Sequence, residues 1–459
     1  MSTTAARVSA PVDRGFDTGD RLSRGDLALL GAALALVLLA HVVGRQLEAH
    51  GAILVLPFPP IFAEWAPHAS VWTLPAVALV LAGVRLQRVA GTLRWSTLLA
   101  WGWLLGFAWI FSLASVDGDW ATKLLSPHEY LHDLPAIGDP WVFLHDFTGR
   151  IVGVPDAWTT HVSVHPPLAT LFFWFLQQAG LAGPAWAALA CMLVGSLAGP
   201  AWAVTLRALG APAAARQLVP WAALFPGAVW IGVSGDAVFL GVASVALMAA
   251  SWGAVHRHAG ASLAGGVLLG ATVYLSYGHI LFAVVVVAAL LLSVRVAGWK
   301  AVWRGWLLAA LGTSGVVVFF TLAGFRWWEA LAQVQLRYYE GIASVRPYSY
   351  FVWANLAAFV VCASPMVVLV IAGAVRTVAG RGRDHSEAAP AWLALAGLVV
   401  IALSDASGLS KAETERIWLT FAFTVWCAAG LAPQSWRRWG LVVAAAWALA
   451  VNHLLLTEW

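Results

Sequence analysis

"LATLFFWFLQQAGLA", Leu168–Ala182, is apolar enough to enter a membrane, yet it is short and carries Gln177 and Gln178 near its end. Whether it crosses decides the topology of everything after it. Around it, apolar runs near membrane-spanning length recur at about 27–43, 71–87, 95–115, 184–206, 217–233, 237–254, 260–276, 280–294, 306–325, 351–375, 391–405, 417–432 and 440–456. A hydrocarbon core of about 30 Å takes about 20 helical residues. Lipid offers no partner to a backbone N–H or C=O, so such runs close their own hydrogen bonds as helices. With the N-terminus inside, the Arg85/Arg88/Arg94 loop falls inside and the acidic 116–167 segment outside. If 168–182 crosses, the clusters Arg207/Arg216, His256/Arg257/His258, Arg295/Lys300/Arg304, Arg376/Arg381/Arg383 and Arg437/Arg438 all land outside. If it does not, all fall inside, as the bias of basic residues toward the cytoplasm requires. The sequence therefore predicts an all-α polytopic membrane protein of about thirteen transmembrane helices, with 168–182 interfacial or re-entrant and further juxtamembrane helices in a large outer loop.

Composition excludes the other classes. Of 459 residues, 61% are hydrophobic and 10% charged, against roughly half and about a quarter in a soluble domain. The pI of 9.1 does not mark a nucleic-acid binder, because the basic residues are scattered through short loops rather than gathered on one patch. Cys191, Cys362 and Cys427 all lie in apolar runs, so neither a disulfide framework nor a metal site is indicated. Residues 1–26 are polar, with Arg7, Arg14, Arg21 and Arg24, and predict a disordered cytoplasmic segment leading into an uncleaved first helix. Residues 27–456 form one transmembrane domain, and "TVAGRGRDHSEAAP", 377–390, predicts a plain cytoplasmic loop. The 28 Trp fit interfacial belts.

With that topology, almost every polar residue that is not a topology signal collects on the outer face. "ASVDGDWATKLLSPHEYLHDLPAIGDP", Ala114–Pro140, sets Asp117, Asp119 and Glu129 where a helix leaves the bilayer. A carboxylate there is partly desolvated, so its pKa can move into the range of a general base. The "DGD" pair also suits a hard cation, while simple solvated acids at a membrane edge are the plainer alternative. "WVFLHDFTGRI", Trp141–Ile151, has the spacing of an amphipathic surface helix. "THVSVHPPL" supplies His161 and His165, the latter a candidate phosphate reader, and "SGDAVFLG" places Asp236 at a tight turn where an N-cap would explain it. Tyr277 and His279 follow in "YLSYGHILF". "LRYYEGIASVRPYSYF" brings Arg346, Tyr348 and Tyr350, and "LSDASGLSKAETERIWLTF" brings Glu413, Glu415 and Arg416. Arginine outside runs against the topology bias, and phosphate is the partner its fork fits; salt bridges to Glu340 or to the neighbouring glutamates are the alternative.

No Walker loop, dinucleotide fingerprint, HExxH or GxSxG occurs. Nor does a charge sit near the middle of a span, as an ion path would need. The arrangement resembles the membrane-embedded GT-C glycosyltransferases that take sugar from a polyprenyl-phosphate carrier. The similarity is carried by the acids after an early span, the surface helix near Trp141–Ile151, "HPPL" at His165–Leu168, Phe225-Pro226 with Asp236, and "ETERIWLTF" at Glu413–Phe421. Two spans precede the acidic loop here, where the family usually has one. The resemblance implies an inverting transferase of the bacterial plasma membrane, its active site on the outer face and its catalytic loop at 116–183. It implies a polyprenyl-phosphate sugar donor (mannose or arabinose), a cell-envelope glycan or glycolipid acceptor, contact with membrane lipid, no nucleic acid and no cofactor. Asp117, Asp119 or Glu129 would be the base. His165, His279, Arg346 and Arg416 would meet the donor phosphate, with Asp236, Tyr348, Glu413 and Glu415 nearby. A lipid or polysaccharide flippase is the alternative.

Overall fold

The computed structural model describes residues 22–380 and 388–458. Half of the predicted 377–390 loop, residues 381–387, and most of the N-terminal segment 1–26 lie outside them. The chain is helical almost throughout. The first three helices are α1 (Arg24–Ala49), α2 (Thr73–Val89) and α3 (Trp95–Val116). The short helices α4 (Pro140–Asp146) and α5 (Thr160–Val164) follow, then α6 (Pro167–Gln178), α7 (Pro184–Ser196), α8 (Ala198–Ala208), α9 (Pro212–Ala223) and α10 (Ala228–Ile231). The middle of the chain forms α11 (Gly235–Val255), α12 (Ala259–Leu275), α13 (Ala283–Ala297), α14 (Trp299–Leu322) and α15 (Trp327–Glu340). The last third forms α16 (Tyr348–Ala363), α17 (Val367–Ala379), α18 (Ala389–Ala406), α19 (Thr414–Ile417), α20 (Leu419–Trp426) and α21 (Gln434–Leu454).

Helix stands at every predicted span, but not every one is a full crossing by length. Among the described residues, seven helices are long and apolar enough to cross a membrane, counting α7 with α8 as one and beginning the α13 span at Tyr277. The predicted span 351–375 is instead two helices, α16 and α17, bent by 97°. Taken as one span, that pair makes eight. The break falls at Ser364-Pro365, where Ser364 takes a left-handed φ of +66° and proline removes a backbone donor. Helix α6 has 12 residues, about 18 Å of length, and so falls short of a bilayer core.

Small residues set the packing. Lipid gives helices no hydrophobic drive to associate, so close backbone approach carries the contact. Helices α11, α12 and α14 form the tightest group: a Cβ on Gly266 of α12 would meet the Ala309 carbonyl of α14, and one on Gly265 of α12 the Ala250 backbone nitrogen of α11. The Trp belts are only part of the tryptophan story. Trp109, Trp202, Trp221, Trp230, Trp418 and Trp426 are fully buried, and indole N–H groups of this set donate to the Phe225 and Trp221 carbonyls and to the hydroxyls of Ser244 and Ser404. The predicted surface helix at Trp141–Ile151 is also shorter than its spacing suggests. It stops at Asp146 and continues as a 3-10 turn, Thr148–Arg150, with Trp141 exposed and Leu144, Phe147 and Ile151 buried. The all-α expectation misses one small sheet, in which β1 (Ala63–Trp65) pairs antiparallel with β2 (Leu455–Thr457) and ties the α1–α2 connection to the end of α21.

Candidate functional site

Helix α3 ends at Val116, and Gly118 turns the chain with φ +93°. The turn sends the two aspartates of "DGD" apart. Asp117 points inward: Oδ1 lies 3.0 Å from His68 Nε2 and accepts from Asn452 Nδ2 at 3.3 Å, while Oδ2 accepts from Lys123 Nζ at 2.8 Å. Lys123 also donates to the Thr457 carbonyl. Asp117 is thus a closed tie between the loop and the C-terminal strand, with both oxygens occupied. Asp119 is exposed, and its carbonyl accepts from Thr122. A shared cation site for the pair, one of the sequence expectations, does not form.

Glu129 has a different setting. It lies at the start of a 3-10 turn and is 3% exposed. Its Oε1 is 2.9 Å from His161 Nδ1, which donates to it, because Arg416 lies against the other ring nitrogen, Nε2, at 3.5 Å. Burial alone would raise the Glu129 pKa; His161 and Arg416 outweigh it and hold the carboxyl below its ordinary range. Glu129 Oε2 is buried and has no hydrogen-bond partner. Its neighbour Tyr130 stacks on Phe173 and lies tilted against His161 and His165, and is so close to Gly235 that a side chain there would clash with its ring.

Arg416 is the hub. Its Nη1 donates to Asp236 and its Nη2 to Glu413 at 2.8 Å. Asp236 is not an N-cap. Ser234 occupies that position, and Asp236 sits in the first turn of α11, where a helix N-terminus favours negative charge. Three carboxylates from three separate segments therefore surround one guanidinium at one end of the bundle. Of the two direct partners, the Glu413 side chain is 24% exposed and that of Asp236 only 7%. Among the described residues no group of three His, Cys, Asp or Glu side chains could hold a metal ion.

The other expected phosphate readers have different partners. Arg346 is buried and spends its fork on the backbone carbonyls of Leu54, Lys411 and Val55, not on an anion or on Glu340. Burial lowers its pKa, with Glu413 and other groups working against the shift. Burial, then the charges of His161 and Arg416, push the His165 pKa well below its usual value, so the ring is neutral at pH 7. His279 is buried with Nε2 3.1 Å from Thr420 Oγ1, and its Nδ1 has no partner. Tyr348 is partly exposed and donates to the Ala406 carbonyl.

The turn that presents Glu413 is strained. Ala412 and Glu413 take φ of +79° and +58°, a conformation that costs about 1–3 kcal/mol per non-glycine residue and persists only where its surroundings over-determine it. They do so here. The Lys411 N–H donates to the Tyr338 hydroxyl, its carbonyl accepts from Arg346, its ammonium donates to Ala343, and the Ala412 N–H reaches Asn355 Oδ1. Asn355 in turn donates to Asp405 and to the Ser410 carbonyl.

No protein-family model matches the chain, and no curated protein does. The site stands on its geometry alone.

Several of its residues were hard to find from sequence. His161 stands in the quoted "THVSVHPPL", but nothing local shows that it bridges Glu129 and Arg416. Tyr130 is signalled only by its place beside Glu129, and Asn355 by nothing. Glu415, grouped with the site from sequence, faces another way. It accepts the Phe62 N–H at 2.9 Å, is fully buried, and leaves Oε2 without a partner. Burial, helped by the charge of Glu413 and opposed by its hydrogen bonds and by Arg416, pushes its carboxyl up from 4.5 to about 7. A folded-state pKa above the unfolded one means that folding takes up a proton. The contribution to stability is then fully present below about 4.5 and is lost as pH rises toward 7. We expect Glu415→Gln, which keeps an acceptor for Phe62, to gain thermal stability over the wild type as pH goes from 5 to 8. Melting curves that stay parallel across that range would show that Glu415 is ionised throughout.

Proposed function

We propose that the chain is an inverting glycosyltransferase of the bacterial plasma membrane, of GT-C type, with about thirteen spans and its site on the outer face. It moves a sugar, mannose or arabinose, from a polyprenyl-phosphate carrier to a cell-envelope glycan or glycolipid. The observation that supports this best is the unpaired Oε2 of Glu129, a buried carboxylate oriented by His161 and set beside the Arg416 hub. As the acceptor hydroxyl attacks the anomeric carbon, Oε2 takes its proton. The bond from that carbon to the carrier's phosphate oxygen breaks, and the phosphate leaves with the electron pair. Its growing charge needs a cation. Arg416 can supply one if the phosphate replaces Glu413, the more exposed of its two direct partners and the one on a strained turn. Arg346, capped by three carbonyls, has no such role. His165 fits hydroxyl recognition better than phosphate binding, because burial disfavours a charged ring, and His279 already meets a hydroxyl, that of Thr420.

The test is transfer by the purified protein from radiolabelled polyprenyl-phosphate mannose and arabinose to membrane lipid and glycan acceptors. We expect label in the acceptor from one donor and none from the other. Absence of transfer from either, together with lipid scrambling in reconstituted vesicles, would replace the transferase with a flippase.

A further inference from the structure

A second feature lies apart from the charged cluster. The connection between α1 and α2 folds back over α1, α16 and α21 and leaves a cavity of about 180 Å³ against them. His41, Ile61, Trp65, Val361, Trp447 and Leu454 are among its lining residues. His41 is the polar exception, and its Nδ1 is engaged with the Pro59 carbonyl at 2.8 Å. Apolar cavities stay dry, and one of about 150 Å³ holds benzene. Water is therefore a poor occupant and hydrocarbon a good one.

The rim points to the source. Trp65 and Leu454 are exposed at 59% and 38%. Helix α1, which supplies Val37 and His41, is the least buried of the spanning helices, with Leu34, Leu38, Leu39 and Val42 all exposed. A helix of that composition faces lipid, so the cavity opens beside the bilayer's own chains, which are present there at solvent concentration. We propose that the cavity is a lipid site that takes one acyl chain of a bilayer phospholipid. The chain packs under Phe58–Ile61 and holds that segment in place, so that the next residue, Phe62, keeps its N–H on Glu415.

The test uses the full-length protein in nanodiscs of phosphatidylcholine that carries a diazirine near the methyl end of one acyl chain. After irradiation, adducts are mapped by peptide mass spectrometry. Ile61 and Val361 are buried, so a chain reaches them only from inside the cavity, whereas Leu38 reports ordinary lipid contact. We expect adducts on Ile61 and Val361 in the wild type, with those on Ile61 falling about tenfold in Val361→Trp, which fills the space, and Leu38 labelling unchanged. Should that variant fail to fold, Ala450→Trp blocks the cavity from its exposed rim position and is expected to do the same. Leu38 labelled with the buried lining blank would overturn the proposal. So would cavity adducts that disappear on adding one equivalent of polyprenyl phosphate, which would assign the site to an isoprenoid chain. Neither outcome depends on whether the protein transfers sugar.

Discussion

Glu129→Gln is expected to lower sugar transfer by about 10²–10⁴-fold, the usual contribution of a general base. The change is conservative. The Gln amide oxygen can still accept from His161 Nδ1, so the loop keeps its anchor and only the proton-accepting oxygen is lost. Asp119→Asn, at an exposed carboxylate, should leave the rate within about a factor of two, as surface changes away from a reacting centre do. Asp117→Asn should act on stability instead, because it weakens a buried tie to Lys123 and His68. A three-variant comparison of single-turnover rates, each with a melting curve, therefore separates chemistry from folding. Full activity in Glu129→Gln with loss in Asp119→Asn would move the base to the exposed acid.

The order of the helices was legible because bilayer-length apolar runs have few other structural solutions. The break in α16–α17 was not, although Pro365 is plain in the sequence. Proline inside a membrane helix is often absorbed by neighbours, and only the left-handed Ser364 beside it shows that this one is not. The acids were legible as a set and illegible one by one. Asp117 and Glu129 look alike in sequence. They differ because Lys123 and Asn452 fill one carboxylate while Glu129 keeps a free oxygen, and Asn452 is 335 residues from Asp117. The arginines misled for the same reason. An Arg that breaks the topology bias has to be satisfied somehow, and backbone carbonyls satisfied Arg346 as well as a phosphate would have.

Replacing Arg416 with Met should be the most destabilising single change at the site. It leaves Asp236 and Glu413 without their cation in a buried setting, and breaking a buried pair by removing one partner costs about 3–5 kcal/mol. Against a typical total of about 5–15 kcal/mol, that is enough to cut the yield of folded protein. The cost comes from uncompensated carboxylates rather than from lost packing, since Met keeps much of the stem. Asp236→Asn should then recover part of it, so the double variant Arg416→Met/Asp236→Asn melts above Arg416→Met alone. A double-mutant cycle on apparent melting temperature measures this, with a coupling of about 0.5–3 kcal/mol expected for residues in one network. A double variant that melts no higher than Arg416→Met alone would mean that Asp236 takes up a proton once the guanidinium is gone. In that case Arg416→Met alone should lose stability steeply as pH rises, because the neutral acid is what the burial tolerates.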